Sequence, residues 1–274
     1  MQKVRTIRTA TVAACLALLG CGGGGSLIGA GGNGGTGTGG NGGTTGAGGT
    51  TGGGGNPGSG SSYEPMSLGA SWTYNTSEVG DGGVGTVSGT KVVTVEASEP
   101  VPTRAGITAW RIHTNVPGAE DQLTWQSETA TAIVRYRDEI YVPGAPRMCM
   151  LPTATGCIES DTYGPSKLRI DTTAAHLATG ATYDESYTET ASTPGTSPTM
   201  PDVSTSSKPF AWKVISGAES ITVPAGTYTA VHLQKANGNS GAIDKDYWFV
   251  LGVGKVKETS SAGRVELLSS FNIP

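Results

Sequence analysis

The chain has 274 residues, 44 of them glycine, and carries 18 Lys and Arg against 22 Asp and Glu, a formal net charge of −4. A mildly acidic chain gains nothing from nucleic-acid phosphates or anionic lipid head groups, so no nucleic acid is expected as a partner. Thr, Ser and Gly are abundant and no dozen residues keep apolar spacing at three and four, which excludes a helix-built fold.

The chain opens with Lys3, Arg5 and Arg8, followed by an apolar stretch from Thr9 to Leu19 and then Gly20-Cys21. A basic start, about ten apolar residues and a small residue at the cut define a secretory signal over residues 1–20. The apolar stretch is too short to span a bilayer as a helix, which takes about 20 residues. The segment ending in Leu18-Leu19-Gly20-Cys21 resembles a bacterial lipoprotein signal, with Leu19 where that pattern carries a smaller residue. The resemblance implies that Cys21 receives a diacylglyceryl group and becomes the new N-terminus. Removing the signal takes away three bases and no acids, so the balance moves from −4 to −7.

Residues 21–62 follow as lipidated cysteine and tether. Of the 41 residues after Cys21, 23 are glycine. Such a segment has almost no apolar surface with which to offset the entropy of ordering glycine, so a flexible coil is expected. Its root-mean-square span would be about 35 Å. The phosphate-cradling use of glycine needs a strand before and a helix after, and neither is foreseen here.

Residues 63–274 are long enough for one domain with its own core. Short segments rich in β-branched and aromatic residues recur along it: Ser71-Trp-Thr-Tyr-Asn, Thr90-Lys-Val-Val-Thr-Val-Glu, Ile107-Thr-Ala-Trp-Arg-Ile-His, Gln122-Leu-Thr-Trp-Gln and Ala132-Ile-Val-Arg-Tyr-Arg. Later come Phe210-Ala-Trp-Lys-Val, Thr227-Tyr-Thr-Ala-Val-His-Leu-Gln, Tyr247-Trp-Phe-Val, Gly254-Lys-Val-Lys-Glu and Arg264-Val-Glu-Leu-Leu. Their alternation predicts antiparallel strands with one buried face. Turns are expected at Val79–Gly85, Glu99–Gly106, Val223–Gly226 and Asn237–Gly241. The Pro/Ser/Thr-rich run from Ala191 to Ser207 reads as a long surface loop, and Thr172–Leu177 as the one weak helix. So many strands must hide their edges, which predicts a mainly β, single antiparallel domain: a curved half-barrel or a β-sandwich with little helix.

Cys149 and Cys157 are the two cysteines of the domain, and an exported protein sits in an oxidising compartment, so a disulfide between them is expected. The loop it closes would contribute about 2 to 3 kcal/mol.

Three pieces of the domain carry a resemblance: Pro65-Met-Ser-Leu-Gly-Ala-Ser-Trp-Thr-Tyr; Ile221-Thr-Val-Pro-Ala-Gly-Thr-Tyr-Thr-Ala-Val-His-Leu; and Tyr247-Trp-Phe-Val-Leu-Gly-Val-Gly-Lys-Val-Lys-Glu with Val265-Glu-Leu-Leu after it. Together with the tether they are similar to uncharacterised bacterial, myxobacterial-type envelope lipoproteins. The resemblance implies a β-rich domain with a curved antiparallel sheet and brings no catalytic residues. The segment from Thr114 to Ser207 matches no known pattern.

No catalytic motif emerges. His113, His176 and His232 are far apart in sequence, and no pair has ligand spacing, so no metal and no cofactor is expected. Asn239-Ser240-Gly241 lacks the leading glycine of a nucleophile elbow. In Glu120-Asp121, Asp138-Glu139 and Asp184-Glu185, adjacent strand residues face opposite ways and cannot act as an acid/base dyad. Asp81, Asp244 and Asp246 fall short of a calcium loop. The five tryptophans read mainly as core, with a concave aromatic sheet as the alternative. The expectation is therefore a non-enzymatic binding module for an apolar ligand, a glycan or an envelope partner, lipid-anchored at the outer membrane of a bacterial envelope and facing the periplasm or the surface. The alternative is a structural or adhesive surface protein with no small ligand, with a hydrolase as a distant third.

Overall fold

The computed structural model describes residues 61–79, 85–116, 121–142, 156–197 and 200–274. Twelve strands follow one another: β1 (Ser71–Val79), β2 (Gly85–Pro100), β3 (Thr108–Asn115), β4 (Asp121–Glu128), β5 (Ala132–Tyr141), β6 (Cys157–Asp171), β7 (Thr182–Ser197), β8 (Met200–Val223), β9 (Gly226–Asn237), β10 (Ile243–Val250), β11 (Gly254–Ser260) and β12 (Arg264–Asn272). One helical turn, α1 (Ala174–Leu177), joins β6 to β7. Each strand pairs antiparallel with its sequence neighbours, and β1 also pairs with β12, so the sheet closes into a barrel.

The expected mainly β, antiparallel domain is present. The sheet goes further than a curved half-barrel: it has no free edge, because Ser71 to Glu78 lie in register with Asn272 to Arg264. Closure satisfies every edge at once, which neither a half-barrel nor a sandwich does. The run from Ala191 to Ser207 is not a surface loop. Its ends extend β7 and β8, in register from Thr182↔Lys213 to Thr193↔Asp202. Threonine favours the pleated ladder, and here Thr190 and Thr205 face each other with hydroxyls 3.3 Å apart, so strand pairing outweighs a loop-like composition. The turns at Val223–Gly226 and Asn237–Gly241 and the weak helix lie as expected.

Alternation breaks in β9. Tyr228 and Ala230 join one core cluster, whereas Val231 and Leu233 join the other, so these residues do not sit on opposite faces as a regular strand would place them. Register shifts in β8 between Val214 and Glu219 absorb the slip, and His232 is left on the outside against Glu219. Cys157 is buried as the first residue of β6; Cys149, Cys21 and residues 22–60 lie outside the described residues, as does Asp81.

In an antiparallel meander the C-terminal ends of all odd-numbered strands gather at one end of the barrel. Their N-terminal ends gather at the other, where residues 61–70 also arrive. This second end is closed. Tyr63 and Met66 pack into the core, Gly252 N–H donates to Ser62 C=O, and Gly69 N–H donates to Val95 C=O. One cluster is built on Trp72, Tyr74, Val253 and Leu268, the other on Trp212, Leu233, Tyr247 and Phe249, and Met66 touches both. A third, smaller cluster lies outside the barrel wall, where Trp125 is covered by Val101 and Ile107 of the β2–β3 loop. Trp72, Trp125, Trp212 and Trp248 are buried.

The outward residues of β7 are Thr182, Asp184, Ser186, Thr188 and Thr190, all exposed. This face of β7 is polar along its length.

Gly254 holds the closed end together. Its φ is +111°, and a Cβ there would stand 3.0 Å from Trp72 Nε1. The indole N–H of Trp72 donates to Val253 C=O at 2.6 Å. Gly254→Ala is therefore expected to lose about 1–3 kcal/mol of stability in urea unfolding. Gly106→Ala, with positive φ but open space around it, is expected to lose less.

Candidate functional site

Inside the barrel, on the side of the odd-strand ends, lies a cavity of about 580 Å³. Twelve strands enclose more space than the eight that side chains alone can fill, and fewer than those that leave an open channel. The cavity falls in the range of small-molecule sites. Trp72, Tyr74, Val93, Ile112 and Ile140 supply its apolar surface; Gln122, Thr124, Gln126, Arg135 and Thr114 supply much of the polar surface. The alternation that points Thr124 and Gln126 inward sends Trp125 outward to the third cluster.

Glu64, on the entering segment, lines the cavity and meets Arg169 Nη2 at 3.2 Å. Burial works against the Arg169 charge, but Glu64, Tyr247 and Glu258 together outweigh it and raise the guanidinium pKa. The segment that closes the barrel thus also supplies part of the cavity wall.

A charged cluster forms another part of that wall. Lys91 Nζ lies 2.5 Å from Glu266 Oε2, and Lys255 Nζ lies 2.9 Å from the same oxygen. Lys255 also contacts Glu258, Lys245 reaches Glu258 at 2.6 Å, and Arg264 reaches Glu266 at 3.2 Å. Burial raises the cost of the Glu266 charge, yet Lys255 and Lys91 outweigh it and hold its carboxyl at about 2. Glu258 is likewise held well below the usual range by Lys255, Lys245 and Lys91 against its burial. Lys255, between both carboxylates, is held above its ordinary value although buried. Lys91 moves the other way: burial and the neighbouring Lys255 bring it down to about 7. Opposite charges packed together where water is scarce explain the shifts of Glu266, Glu258 and Lys255; Lys91, buried beside a second ammonium and sharing its carboxylate with it, is the exception.

Four buried polar atoms of cavity-lining residues have no hydrogen-bond partner. Arg135 Nε and Arg169 Nε are donors; Glu64 Oε2 and Gln126 Oε1 are acceptors. Elsewhere the lumen is filled by the chain itself. Lys235 Nζ sits 3.8 Å from the Phe210 ring centroid and 4.8 Å from that of Trp212, with Glu185 Oε2 at 3.0 Å. Burial brings Lys235 down to about 8 although Glu185 opposes it.

The three histidines do not meet. Nδ1 of His113 contacts Glu96 at 3.0 Å, that of His176 contacts Asp171 at 2.9 Å, and that of His232 contacts Glu219 at 2.8 Å. His232 also stacks on Trp248, with ring centroids 4.0 Å apart. Adjacent carboxylates diverge as strand geometry requires: Asp138 accepts from Tyr163 Oη–H at 2.7 Å, whereas Glu139 faces Arg137 on the other side. Asp244 lines the cavity and Asp246 faces His232, so these two do not share a calcium loop.

Of the lumen residues, sequence reasoning weighs only Trp72, among the five tryptophans, and Asp244, as a calcium ligand. A signal was present: Lys91, Lys255, Glu258 and Glu266 all stand within strand patterns where the core is built, and a charge in such a place needs a partner or a ligand.

Comparison with protein-family models, with curated proteins and with solved structures gives no match.

The cluster makes stability depend on acid. Glu266 has a folded pKa of about 2 against an ordinary 4.5, so its contribution is complete above about pH 4.5 and is lost as pH falls towards 2. Chemical denaturation at pH 5 and pH 3 is expected to show a loss of roughly 2 to 3 kcal/mol, and Glu266→Gln is expected to be less stable at pH 5 but to lose less between the two.

Proposed function

We propose that this protein is an envelope lipoprotein of the myxobacterial type, whose barrel is a non-enzymatic binding module for a small, hydroxyl-rich ligand held in the lumen. The observation that carries the reading is the polar lining of the cavity, where donors and acceptors of Thr114, Gln122, Ser260 and Ser261 stand beside the aromatic rings of Trp72 and Tyr74. A hydroxyl donates and accepts, so one chemical group answers both kinds. An apolar guest would leave them unmatched at about 1–3 kcal/mol each. Among apolar ligand, glycan and envelope partner, the cavity chemistry therefore favours the glycan, with Trp72 and Tyr74 offering aromatic surface to a sugar ring.

The anchor at Cys21, the tether over 22–62 and the Cys149–Cys157 disulfide belong to the same reading and rest on the sequence. The Gly-x-x-Trp-x-Tyr, Val-Pro-Ala-Gly-Thr-Tyr and Gly-Val-Gly-x-Val-Lys motifs support it through residues of the closed end, including Trp72, Tyr228 and Gly254. A structural or adhesive role without a ligand is the second reading, supported by the part of the lumen that Lys235, Phe210 and Trp212 fill.

Native mass spectrometry of the detergent-extracted mature chain is expected to show a co-purifying sugar-sized mass; its absence across several preparations favours the second reading. Radiolabelled palmitate is expected to enter the wild type and not Cys21→Ala. Equal labelling of the two removes the anchor.

A further inference from the structure

The charged wall of the cavity is unbalanced. Four cationic side chains, Lys91, Lys245, Lys255 and Arg264, converge on two carboxylates, Glu258 and Glu266. Lys245 and Arg264 are 36 % and 43 % exposed, and water screens them, but Lys91 and Lys255 are only 14 % and 7 % exposed. Lys91 is the weakly held member. Lys255 has both carboxylates, whereas Lys91 shares one oxygen of Glu266 with it. The groups around Lys91 are Tyr74 from β1, whose ring centroid is 5.4 Å away, Glu266 from β12, and Lys255 and Glu258 from β11. Arg264 of β12 and Lys245 and Asp244 of β10 line the same cavity. The two buried lysines are matched by the two buried glutamates, and the surplus lies with the more exposed Lys245 and Arg264. Over the whole lining, with Arg135, Arg169, Glu64 and Asp244, six bases face four acids, and a lining with net positive charge attracts an anion.

We propose that the lumen ligand is anionic: a hydroxylated small molecule whose carboxylate or phosphate ester sits against Lys91, with the hydroxyls directed to the polar lining at Thr114, Gln122, Ser260 and Ser261. This rests on the binding-module reading and names the class of ligand within it. A neutral sugar answers the polar lining but leaves the charge imbalance in place. An anion answers both. Lys91, brought down to about 7 by burial and by Lys255, is largely uncharged in the free protein at pH 8, and a bound anion restores its proton. Binding at that pH therefore takes up a fraction of a proton.

The test is isothermal titration calorimetry of the full mature chain at pH 8, in two buffers of different ionisation heat. The probes are D-glucuronate, D-galacturonate and D-glucose 6-phosphate, with D-glucose and D-galactose as neutral counterparts. At least one acid is expected to bind tenfold or more tightly than its neutral counterpart, with uptake of between zero and one proton; the rank of uronate against phosphate identifies the anion. Lys91→Met leaves Glu266 with Lys255 and Arg264 and is expected to fold, to lose tenfold or more in affinity for the acid, to keep its affinity for the neutral sugar, and to abolish the proton uptake. The exposed outer Lys213→Met is expected to change none of these. Neutral sugars binding as tightly as the acids, or acid binding unchanged in Lys91→Met, overturns the proposal and leaves the sugar-binding reading standing. No heat from acid or neutral sugar overturns the reading and the proposal together.

Discussion

The pairing of β1 with β12 is the contact on which the rest of this molecule depends. It joins residues almost 200 positions apart and turns an open sheet into a barrel. Closure removes both edges, which would otherwise be templates for association, and it also creates a lumen. Twelve strands make that lumen too wide for side chains alone, so the interior needs fillers. The aromatic clusters fill one end, residues 61–70 cap it, and the remaining space becomes a cavity walled by charged and polar groups.

The wall explains how such a core is tolerated. Buried charges are costly unless matched, and most of those here are matched by ion pairs with good distances: Lys235 with Glu185, Arg169 with Glu64, Lys255 with Glu258 and Glu266. Unpaired buried atoms occur on cavity-lining residues, Glu64, Gln126, Arg135 and Arg169, and also away from the cavity, on Ser67, Asp138, Asp161, Tyr183 and Trp248. What sets the cavity apart is its surplus of cationic side chains.

Glu64 ties the closed end to the cavity. The strand-closing architecture needs the segment before β1 to cover the barrel end, and that segment carries the carboxylate that holds Arg169. Scaffold and site therefore share residues: Trp72 lines the cavity and is locked by Val253, beside the glycine whose missing side chain lets the indole approach.

The sequence by itself determined most of the elements. Alternation of β-branched and aromatic residues placed ten of the twelve strands, all but β6 and β7, and Pro, Gly and Asn placed the hairpins at Val223–Gly226 and Asn237–Gly241, because these are local backbone preferences. The expected division into signal, tether and domain rests on composition alone. Tertiary structure alone decided that the sheet closes, because the register of β1 on β12 is a contact between chain ends that no window of residues contains. It decided that Ala191 to Ser207 belong to strands, because cross-strand partners rather than composition set the outcome. It also brought Lys91, Lys255, Glu258 and Glu266 to one wall: each is an ordinary charge in sequence, and only the barrel's curvature makes them neighbours in a largely buried place.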